Sequence, residues 1–376
     1  MSVTTAPAAK ISQADVRTIG ERSTRDLPKT VRTLERWLSE RMPAAKDVAI
    51  ADIAYPQGAG MSNETILLRA GWREDGKDVR QGLVVRVEPN IHALFMDASL
   101  RRQFDVLKAL HATGQVRIAE PLWYEEDASV LGAPFYMMRR LEGRVPVSFP
   151  PYNREGFVFD ASVADREILW RTAVEELARI ARTPTGTLDM LAMPDKGETG
   201  FDQHFRWGLD YMRWSKGETT PFIQEAEAWL LKHRPNAPPS GLSWGDARIG
   251  NMMFGADFRL AGVMDWEQAS LGGPLHDLGW WLFFDDIHAR HQKLARLEGL
   301  GNRQQTVELW QDLTGLSAEG VEWYEVFAGY KLSGIGARNF GQYRKEQPGH
   351  NHNNNNFTRA MAEIMGVDAP VDIVRD

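Results

Sequence analysis

The chain contains no cysteine among its 376 residues. This absence excludes disulfide bonds, zinc sites built from thiolates and a cysteine nucleophile. No apolar run approaches the ~20 residues that cross a bilayer, and the first thirty residues carry charges and Pro7 but no apolar signal core. We therefore expect a protein that has no membrane partner, is not exported and is located in the cytoplasm.

Basic residues are fewer than acidic residues. The sequence holds 44 Lys and Arg against 51 Asp and Glu, a formal net charge of −7 at pH 7. Nucleic acids are bound by clustered basic side chains, so this balance argues against a nucleic-acid partner. The chain is rich in apolar residues, at 43% with 13 Trp, and its length suits two lobes better than one compact core.

The most informative segment lies between residues 242 and 282. Asp246 and Asn251 stand five residues apart in a D-x-x-x-x-N arrangement, and Asp265 follows an apolar stretch. Kinase chemistry needs one carboxylate to take the hydroxyl proton, while an amide and a second carboxylate hold Mg²⁺, which prefers oxygen ligands. The order predicts Asp246 as base, with Asn251 and Asp265 on the metal. Ordinary turn chemistry is the alternative for this spacing taken alone.

A resemblance to a known family rests on three strings: GDARIGNMMF, MDWEQASLGGPLHDLGWW and VLGAPFYMMRRLEGRVP. They resemble the aminoglycoside and choline phosphotransferase superfamily, whose members carry H-G-D-x-x-x-x-N and then D-W-E or D-F-E. The nearest branch is the kinase-like domain fused to some acyl-CoA dehydrogenases, with related bacterial phosphotransferases. The resemblance implies an α+β, two-lobed protein-kinase-like fold, in which a small antiparallel-sheet N-lobe precedes a large, mainly helical C-lobe.

Three segments are predicted: an N-terminal helical arm over residues 1–47, a nucleotide-binding N-lobe over 48–142, and a helical C-lobe with the catalytic loop and acceptor site over 143–376. The arm has apolar residues at helical spacing. Apolar or alternating runs predict strands, at 48–54, 64–72, 79–87, 121–125 and 133–138.

Nucleotide binding is predicted at two places in the N-lobe. The loop PQGAGMSN joins the first two strands, and its Gly58 and Gly60 allow backbone amides to approach anionic oxygens, with Ser62 as a further donor. A plain hairpin turn is the alternative. The segment that begins with Met138 and Arg139 is the expected hinge beside the adenine, although a Met next to a strand is often a core residue.

The resemblance also implies that the usual lysine and glutamate of kinases are replaced. Arg86 stands at the position of the lysine that contacts the α- and β-phosphates, and a guanidinium can bind phosphate in a bidentate manner. Gln103 stands at the position of the lysine's glutamate partner. Arg102 and Glu88 are candidates to compensate for this change.

Further roles are implied around the catalytic loop. Arg248 matches a kinase lysine and is assigned to the γ-phosphate, while Asp277 matches an acidic residue that supports the loop from below. Trp244 replaces the histidine of H-G-D, and a tryptophan can brace the loop by packing and by donating its one N–H. The contact partner of Glu267 is left open among three alternatives: a metal-bound water, the acceptor and a basic side chain.

Other polar features have expected structural roles. His276, His288 and His291 lack the spacing of a zinc site and are expected at the surface, and HNHNNNNF near residue 350 is expected as a flexible loop. The aromatic helices around residues 206–214 and 221–233 are expected to pack in the core. By the resemblance, this region also shapes the acceptor site.

The sequence therefore predicts an ATP- and Mg²⁺-dependent O-phosphotransferase that moves the γ-phosphate to a hydroxyl of a small molecule. A hydroxyacyl-CoA or other hydrophobic alcohol is favoured as acceptor, and an aminoglycoside or macrolide is the alternative. The changes at Arg86, Gln103 and Trp244 leave a nucleotide-binding pseudokinase as a hypothesis of another class. A protein kinase would need an activation segment, and only a short link follows Glu267.

Overall fold

A computed structural model gives the fold and describes residues 25–56, 63–88, 94–97, 99–148, 150–216, 220–343 and 352–373, without the side chains of 339–343. The first part of the chain forms, in order, α1 (Leu27–Arg41), β1 (Lys46–Ala54), β2 (Glu64–Glu74), β3 (Lys77–Val87), α2 (Leu100–Thr113), β4 (Pro121–Glu125), α3 (Ala128–Leu131) and β5 (Phe135–Arg139). The remainder forms α4 (Phe157–Asp160), α5 (Val163–Ala181), α6 (Gly200–Ser215), α7 (Pro221–Lys232), β6 (Met252–Phe254), β7 (Leu260–Val263), α8 (Leu275–His288), α9 (Arg303–Thr314), α10 (Val321–Tyr343) and α11 (Asn356–Met365).

Two compact units divide the chain. One comprises Met1–Asn90 with Glu125–Phe135, and the other comprises Ile91–Tyr124 with Tyr136–Asp376. Helix α2, which was predicted within the N-lobe segment, groups with the second unit in this division. The predicted segment boundaries after residues 47 and 142 stay predictions.

The predicted helical arm forms α1 and packs within the first unit. Asp26 caps the helix by accepting from the Lys29 amide, and the apolar face of the helix is buried. The Trp37 indole N–H donates to Glu125 at 2.7 Å, and the Glu35 carboxylate accepts from the backbone N–H of Ile50 in β1 at 2.9 Å. The arm is therefore fixed to the unit by buried apolar contacts and by specific hydrogen bonds, which include a third from the Arg41 guanidinium to Glu125 at 2.6 Å.

The predicted small sheet is present and antiparallel, with strand order β1-β2-β3-β5-β4. Strands β2 and β3 pair from Glu64 opposite Val87 to Glu74 opposite Lys77. Between them Asp75 and Gly76 have φ of 50° and 74°. Two central residues with positive φ form the type I′ turn that matches the twist of a two-residue hairpin, so the turn sets the register of the pair.

The second unit is mainly helical, around a core that is rich in aromatic side chains. Tyr211, Phe283 and Phe327 are among its fully buried residues. Helices α8 and α10 approach closely, because a Cβ added to Gly279 would lie 2.6 Å from the Cβ of Tyr324. Among the residues described, no helix is both long and apolar enough to span a membrane.

The expectation for the histidines was wrong, whereas the predicted loop before α11 is present from residue 352. His276 and His288 are 6% and 4% exposed, and the His291 side chain is 7% exposed. The first two lie on α8, which is surrounded by the core, so its histidines point inward. The polar tract is structured from residue 352 onward: Asn353 is 4% exposed, and Asn355 caps α11.

Candidate active site

Three of the predicted site residues meet in the loop after residue 243. The Asn251 side-chain amide donates to the Asp246 carbonyl at 3.1 Å and to Asp246 Oδ2 at 2.6 Å. Arg248 Nε donates to Asp246 Oδ1 at 3.1 Å. A residue that the sequence analysis missed, Trp280, donates its indole N–H to the same Oδ1 at 2.9 Å. The Asp246 carboxylate is thus oriented by three side chains.

Arg248 is held between two oxygen acceptors. Its Nε contacts Asp246, and its Nη1 donates to Ser148 Oγ at 2.8 Å. The guanidinium carbon also lies 5.6 Å from the ring centroid of Phe284. The side chain is 22% exposed, so it can be reached by an anionic group while it remains anchored.

The strand that carries Asp265 is tied to the same loop. The β6–β7 hairpin pairs Met252 with Val263, and the next backbone bond runs from the Met264 N–H to the Asn251 carbonyl at 2.9 Å. Asp265 follows immediately, with φ of 63°. This left-handed conformation is uncommon outside glycine, and such strained residues cluster at functional sites.

These residues fit a magnesium ion by their chemistry. Asn251 turns its amide nitrogen toward Asp246, which leaves its carbonyl oxygen as a hard donor, and Asp265 supplies a carboxylate. Among the described residues, no group of three or more His, Asp or Glu side chains could hold a metal ion. A pair of protein oxygens suits Mg²⁺, because that ion commonly keeps water and phosphate oxygens as its other ligands.

Asp277 supports the loop from α8. Its carboxylate accepts from the Ser243 hydroxyl at 2.9 Å, the Trp244 amide at 2.7 Å and the Gly245 amide at 2.8 Å. Burial raises the pKa of Asp277 to about 6, against the effect of these hydrogen bonds. The contacts match the supporting role that the resemblance implied.

Trp244 occupies the position of the family's histidine and braces the segment that contains Asp265. Its indole N–H donates to the Met264 carbonyl at 2.8 Å and to the Asp265 carbonyl at 3.2 Å. The ring is fully buried and lies 5.9 Å from that of Trp266. Trp244 therefore connects its own loop to the segment after β7, through ring packing and through its indole N–H.

Gly245 is required by the loop geometry. Its φ is 94°, and a Cβ at this position would lie 2.2 Å from the Gln268 carbonyl oxygen. The backbone that precedes the proposed base can therefore follow this path only when residue 245 has no side chain.

Trp280 and Lys331 are site residues that the sequence analysis did not single out. Trp280 is three residues beyond Asp277 on α8, a spacing that places both on one helix face, so a signal was available. Lys331 is a single lysine in an apolar stretch of α10 and is 3% exposed. Its proximity to the loop depends on tertiary packing.

The predicted nucleotide-binding residues are only partly described. Gly58, Gly60 and Ser62 lie outside the described residues. Arg86 pairs across the sheet with Thr65 and is half-buried. It lies in the first unit, whereas the loop that carries Asp246 lies in the second.

The predicted hinge residues lie at the end of β5. Met138 packs partly buried against the core of the second unit. The Arg139 side chain forms an ion pair with Glu120, and its backbone N–H donates to the Glu120 carbonyl at 2.9 Å. The segment is therefore anchored at both residues.

Arg102 is held by a neighbouring residue within the second unit, and its compensating role stays a prediction. Its guanidinium contacts the Asp97 carboxylate at 3.1 Å and the Asp97 carbonyl at 3.0 Å. Gln103 is 6% exposed on the buried side of α2. Glu267 lies near Tyr211, because its charge helps burial to raise the pKa of that phenol.

Comparison with known sequences gives a family and a set of relatives. The model of the phosphotransferase enzyme family matches residues 56–313. Acyl-CoA dehydrogenase family member 11 of Mus musculus is 26% identical over 345 residues, which cover 88% of this chain and 41% of that protein. The chain thus spans about two fifths of the curated relatives it first matches, and the predicted resemblance is confirmed.

Solved structures agree on the fold. A putative aminoglycoside phosphotransferase from Ralstonia eutropha has a TM-score of 0.62 and 22% identity, with 89% of this chain and 94% of that chain covered. An aminoglycoside phosphotransferase APH(4)-Ia in complex with AMP-PNP and hygromycin B has a TM-score of 0.53 and 14% identity, with 89% and 95% covered. The predicted two-lobed kinase-like fold is confirmed.

Proposed function

Since the chain belongs to the phosphotransferase enzyme family, we propose that it transfers the γ-phosphate of ATP, with Mg²⁺, to a hydroxyl of a small molecule. The observation that carries the proposal is the convergence of Asn251, Arg248 and Trp280 on the Asp246 carboxylate, beside the strand of Asp265. The AMP-PNP bound in a structural neighbour of the same fold supports ATP as the donor.

In the proposed reaction, Asp246 accepts the proton of the acceptor hydroxyl. The acceptor oxygen forms a bond to the γ-phosphorus while the bond from that phosphorus to the bridging oxygen of ADP breaks. Asn251 and Asp265 would hold Mg²⁺, which neutralises charge on the phosphate oxygens when bound. Arg248 turns from Asp246 toward the transferred phosphoryl group, and the Ser148 hydroxyl keeps its other end in place.

The surroundings of Asp246 favour an acceptor without multiple positive charges. Arg248 forms an ion pair with Asp246, and Lys331 is close enough that the Asp246 charge acts on its pKa. Both cations offset the negative charge of Asp246, which weakens the attraction of the site for a polycationic aminoglycoside. Four aromatic side chains lie beside Arg248 around a cavity of about 10 Å³: Tyr152, Trp170, Trp281 and Phe284. This volume is that of about one water molecule, so these rings provide apolar surroundings for Arg248 and not a binding site for the acceptor.

We therefore propose a hydrophobic alcohol as the acceptor, with hydroxyacyl-CoA thioesters as the leading candidates. The names of the curated relatives, acyl-CoA dehydrogenase family members, support a link to acyl-CoA chemistry. An aminoglycoside or macrolide is the second candidate class, favoured by the names of the structural neighbours.

The test is ADP release from Mg²⁺-ATP in the presence of separate pools of hydroxyacyl-CoAs, aminoglycosides and macrolides. Release that depends on the hydroxyacyl-CoA pool, and is lost with EDTA and in Asp246→Asn, is expected. Release with aminoglycosides alone would overturn the acceptor assignment. ATP that raises the unfolding temperature without turnover in any pool would identify a nucleotide-binding pseudokinase.

A further inference from the structure

A lysine is buried behind the proposed base. Lys331 lies on α10 at 3% exposure, and its Nζ is 4.8 Å from the ring centroid of Trp280 on α8. The rings of Trp207 and Phe327 have their centroids at 5.7 and 5.9 Å from the same atom. Three aromatic faces therefore surround the ammonium group, an arrangement that attracts a cation through the ring quadrupoles.

The position of Lys331 has an energetic cost. Removing an ammonium group from water is unfavourable unless an opposite charge or hydrogen bonds replace the solvent. Among the described residues, no carboxylate forms an ion pair with Lys331, and its polar contact is to His204 Nε2 at 3.4 Å. Burial lowers the pKa of Lys331 to about 8, against the charges of Asp246 and Asp277.

The nearby imidazoles do not supply negative charge. His204 and His276 are buried, with ring centroids 4.5 Å apart. Burial, and then the Lys331 charge, hold the pKa of both well below the usual range. Both rings are therefore neutral near pH 7, and the carboxylates whose charges act on Lys331 are Asp246 and Asp277, from the catalytic loop and its support.

A physical connection runs from Lys331 to Asp246 through one side chain. The ammonium group lies over the Trp280 ring, and the indole N–H of that ring donates to Asp246 Oδ1 at 2.9 Å. A cation over the ring fixes the ring's position and makes the N–H a stronger donor, because it draws electron density from the indole. The close approach at Gly279 of α8 brings this helix against α10.

We propose that Lys331 is a positioning residue for phosphoryl transfer: it holds Trp280 so that the indole orients the Asp246 carboxylate, and its charge balances the negative charge of the catalytic loop. The inference rests on the proposed function for its kinetic consequence. An apolar side chain of the same length at position 331 would avoid the cost of desolvating a charge. The positioning role explains why the core of the second unit contains a cation there instead.

The kinetic test compares Lys331→Met and Lys331→Arg with the unmodified protein. ADP release is measured from Mg²⁺-ATP with the hydroxyacyl-CoA pool and, separately, with water as the acceptor. Lys331→Met is expected to lower kcat by about ten- to a hundredfold, because misplaced catalytic groups carry losses of that order, with the KM for ATP unchanged. Lys331→Arg, which keeps the charge, is expected to recover part of the loss.

The matched control is Glu325→Gln, which also removes a buried charge from α10. Glu325 is 5% exposed and pairs with Arg303 at 2.6 Å, away from the Asp246 contacts. This variant is expected to unfold at a lower temperature with kcat unchanged. Lys331→Met is expected to show the opposite pattern, a lower kcat with an unfolding temperature that is unchanged or raised. A Lys331→Met protein that is less stable but keeps its kcat would overturn the proposal.

A second test needs no turnover. NMR of ¹⁵N-labelled protein follows the Lys331 Nζ titration and the Trp280 indole N–H. Asp246→Asn is expected to lower the Lys331 pKa further, and Lys331→Met is expected to shift the Trp280 N–H signal upfield as its hydrogen bond weakens. If both signals move but the protein releases no ADP with any acceptor, the proposed function fails and the positioning contact stands. If neither moves, the contact between Lys331 and the base is refuted.

Discussion

The Asp246 carboxylate shows how much of the site depends on single side chains. Its two oxygens accept from Asn251, Arg248 and Trp280, which come from the catalytic loop and from α8. A base held from two elements enters the reaction already oriented, so little free energy is spent on reorganisation. Single substitutions should distinguish the residue that takes part in the reaction from the residues that hold the loop in place.

Trp244→His is expected to retain turnover. The imidazole restores the residue type of the family at this position, and one ring N–H can replace the indole donor to the Met264 and Asp265 carbonyls. We expect kcat within about tenfold of the unmodified enzyme, whereas Asp246→Asn should lose about a hundredfold or more, the usual contribution of a general base. ADP-release kinetics measure both, and equal losses would show that Trp244 does more than brace.

Gly245→Ala is expected to abolish turnover and destabilise the protein. The added Cβ would meet the Gln268 carbonyl at 2.2 Å in a backbone with φ of 94°, so the loop must move away from Gln268 and carry Asp246 with it.

Gly315→Ala is the matched control for this change. Gly315 also has a positive φ, of 72°, but a Cβ there would meet nothing within 4 Å. It should lose only the ~1 kcal/mol of left-handed backbone strain, with kcat intact. Denaturant unfolding and ADP release distinguish the two variants, and similar behaviour of both would show that the contact at Gln268 is relieved without loop movement.

At the scale of elements, local patterns predicted the five strands of the small sheet, the helix of the arm and the aromatic helices α6 and α7. The alternation of apolar and polar residues predicted β2 and β3, and the helical spacing of apolar residues in the arm predicted α1. An element with one buried face has such a regular pattern in its sequence. Helix α8 was harder to interpret, since it is buried on most sides and its histidines therefore face the core. Asp246, Asn251 and Asp265 were identified from spacing within one segment, whereas Lys331 contributes from α10 through contacts that no local pattern records.

The polar tract before α11 forms the predicted loop, and its buried Asn353 allows a test of how firmly that loop is anchored. Asn353 accepts from the Phe222 amide at the start of α7 at 3.0 Å and donates to the Val371 carbonyl at 2.8 Å. Asn353→Ala would leave the buried Phe222 donor without this acceptor, so we expect a loss of about 1–3 kcal/mol in the free energy of unfolding. Denaturant unfolding measures it.

Asn354→Ala is the neighbouring control. Asn354 bonds to Asp372 in an exposed position and accepts from Arg359. Because water can replace partners at an exposed site, its loss is expected to stay within about 0.5 kcal/mol. Equal losses in the two variants would mean that the tract is not anchored through Asn353.

At the scale of the whole molecule, several ionisable groups are buried without a direct ion pair among the described residues. Lys331 and Asp277 serve the catalytic loop. Burial favours the neutral form of each, so it lowers the pKa of Lys331 to about 8 and raises the pKa of Asp277 to about 6. Sites that hold charges against desolvation trade stability for function. The same physics makes the stability of the protein depend on pH through groups that have no part in the proposed reaction.

His288 allows this dependence to be measured. The residue is 4% exposed, and its ring packs against those of Tyr152 and Phe284. Burial, and then the Arg248 charge, lower its pKa to about 3. In an unfolded chain a histidine takes up its proton near pH ~6.5. Between these two values the unfolded state binds more protons than the folded state, so the contribution of His288 to the free energy of unfolding decreases as the pH falls.

His288→Phe should remove that loss while filling the same aromatic site. Between pH ~7 and ~5, the unmodified protein is expected to lose about 2 kcal/mol more of its unfolding free energy than the variant does. Urea unfolding at the two pH values gives the difference, and the same substitution at the exposed His233 is the control. Parallel decreases in the unmodified protein and in His288→Phe would show that the folded protein protonates His288 without penalty, and that its burial does not make the molecule sensitive to acid.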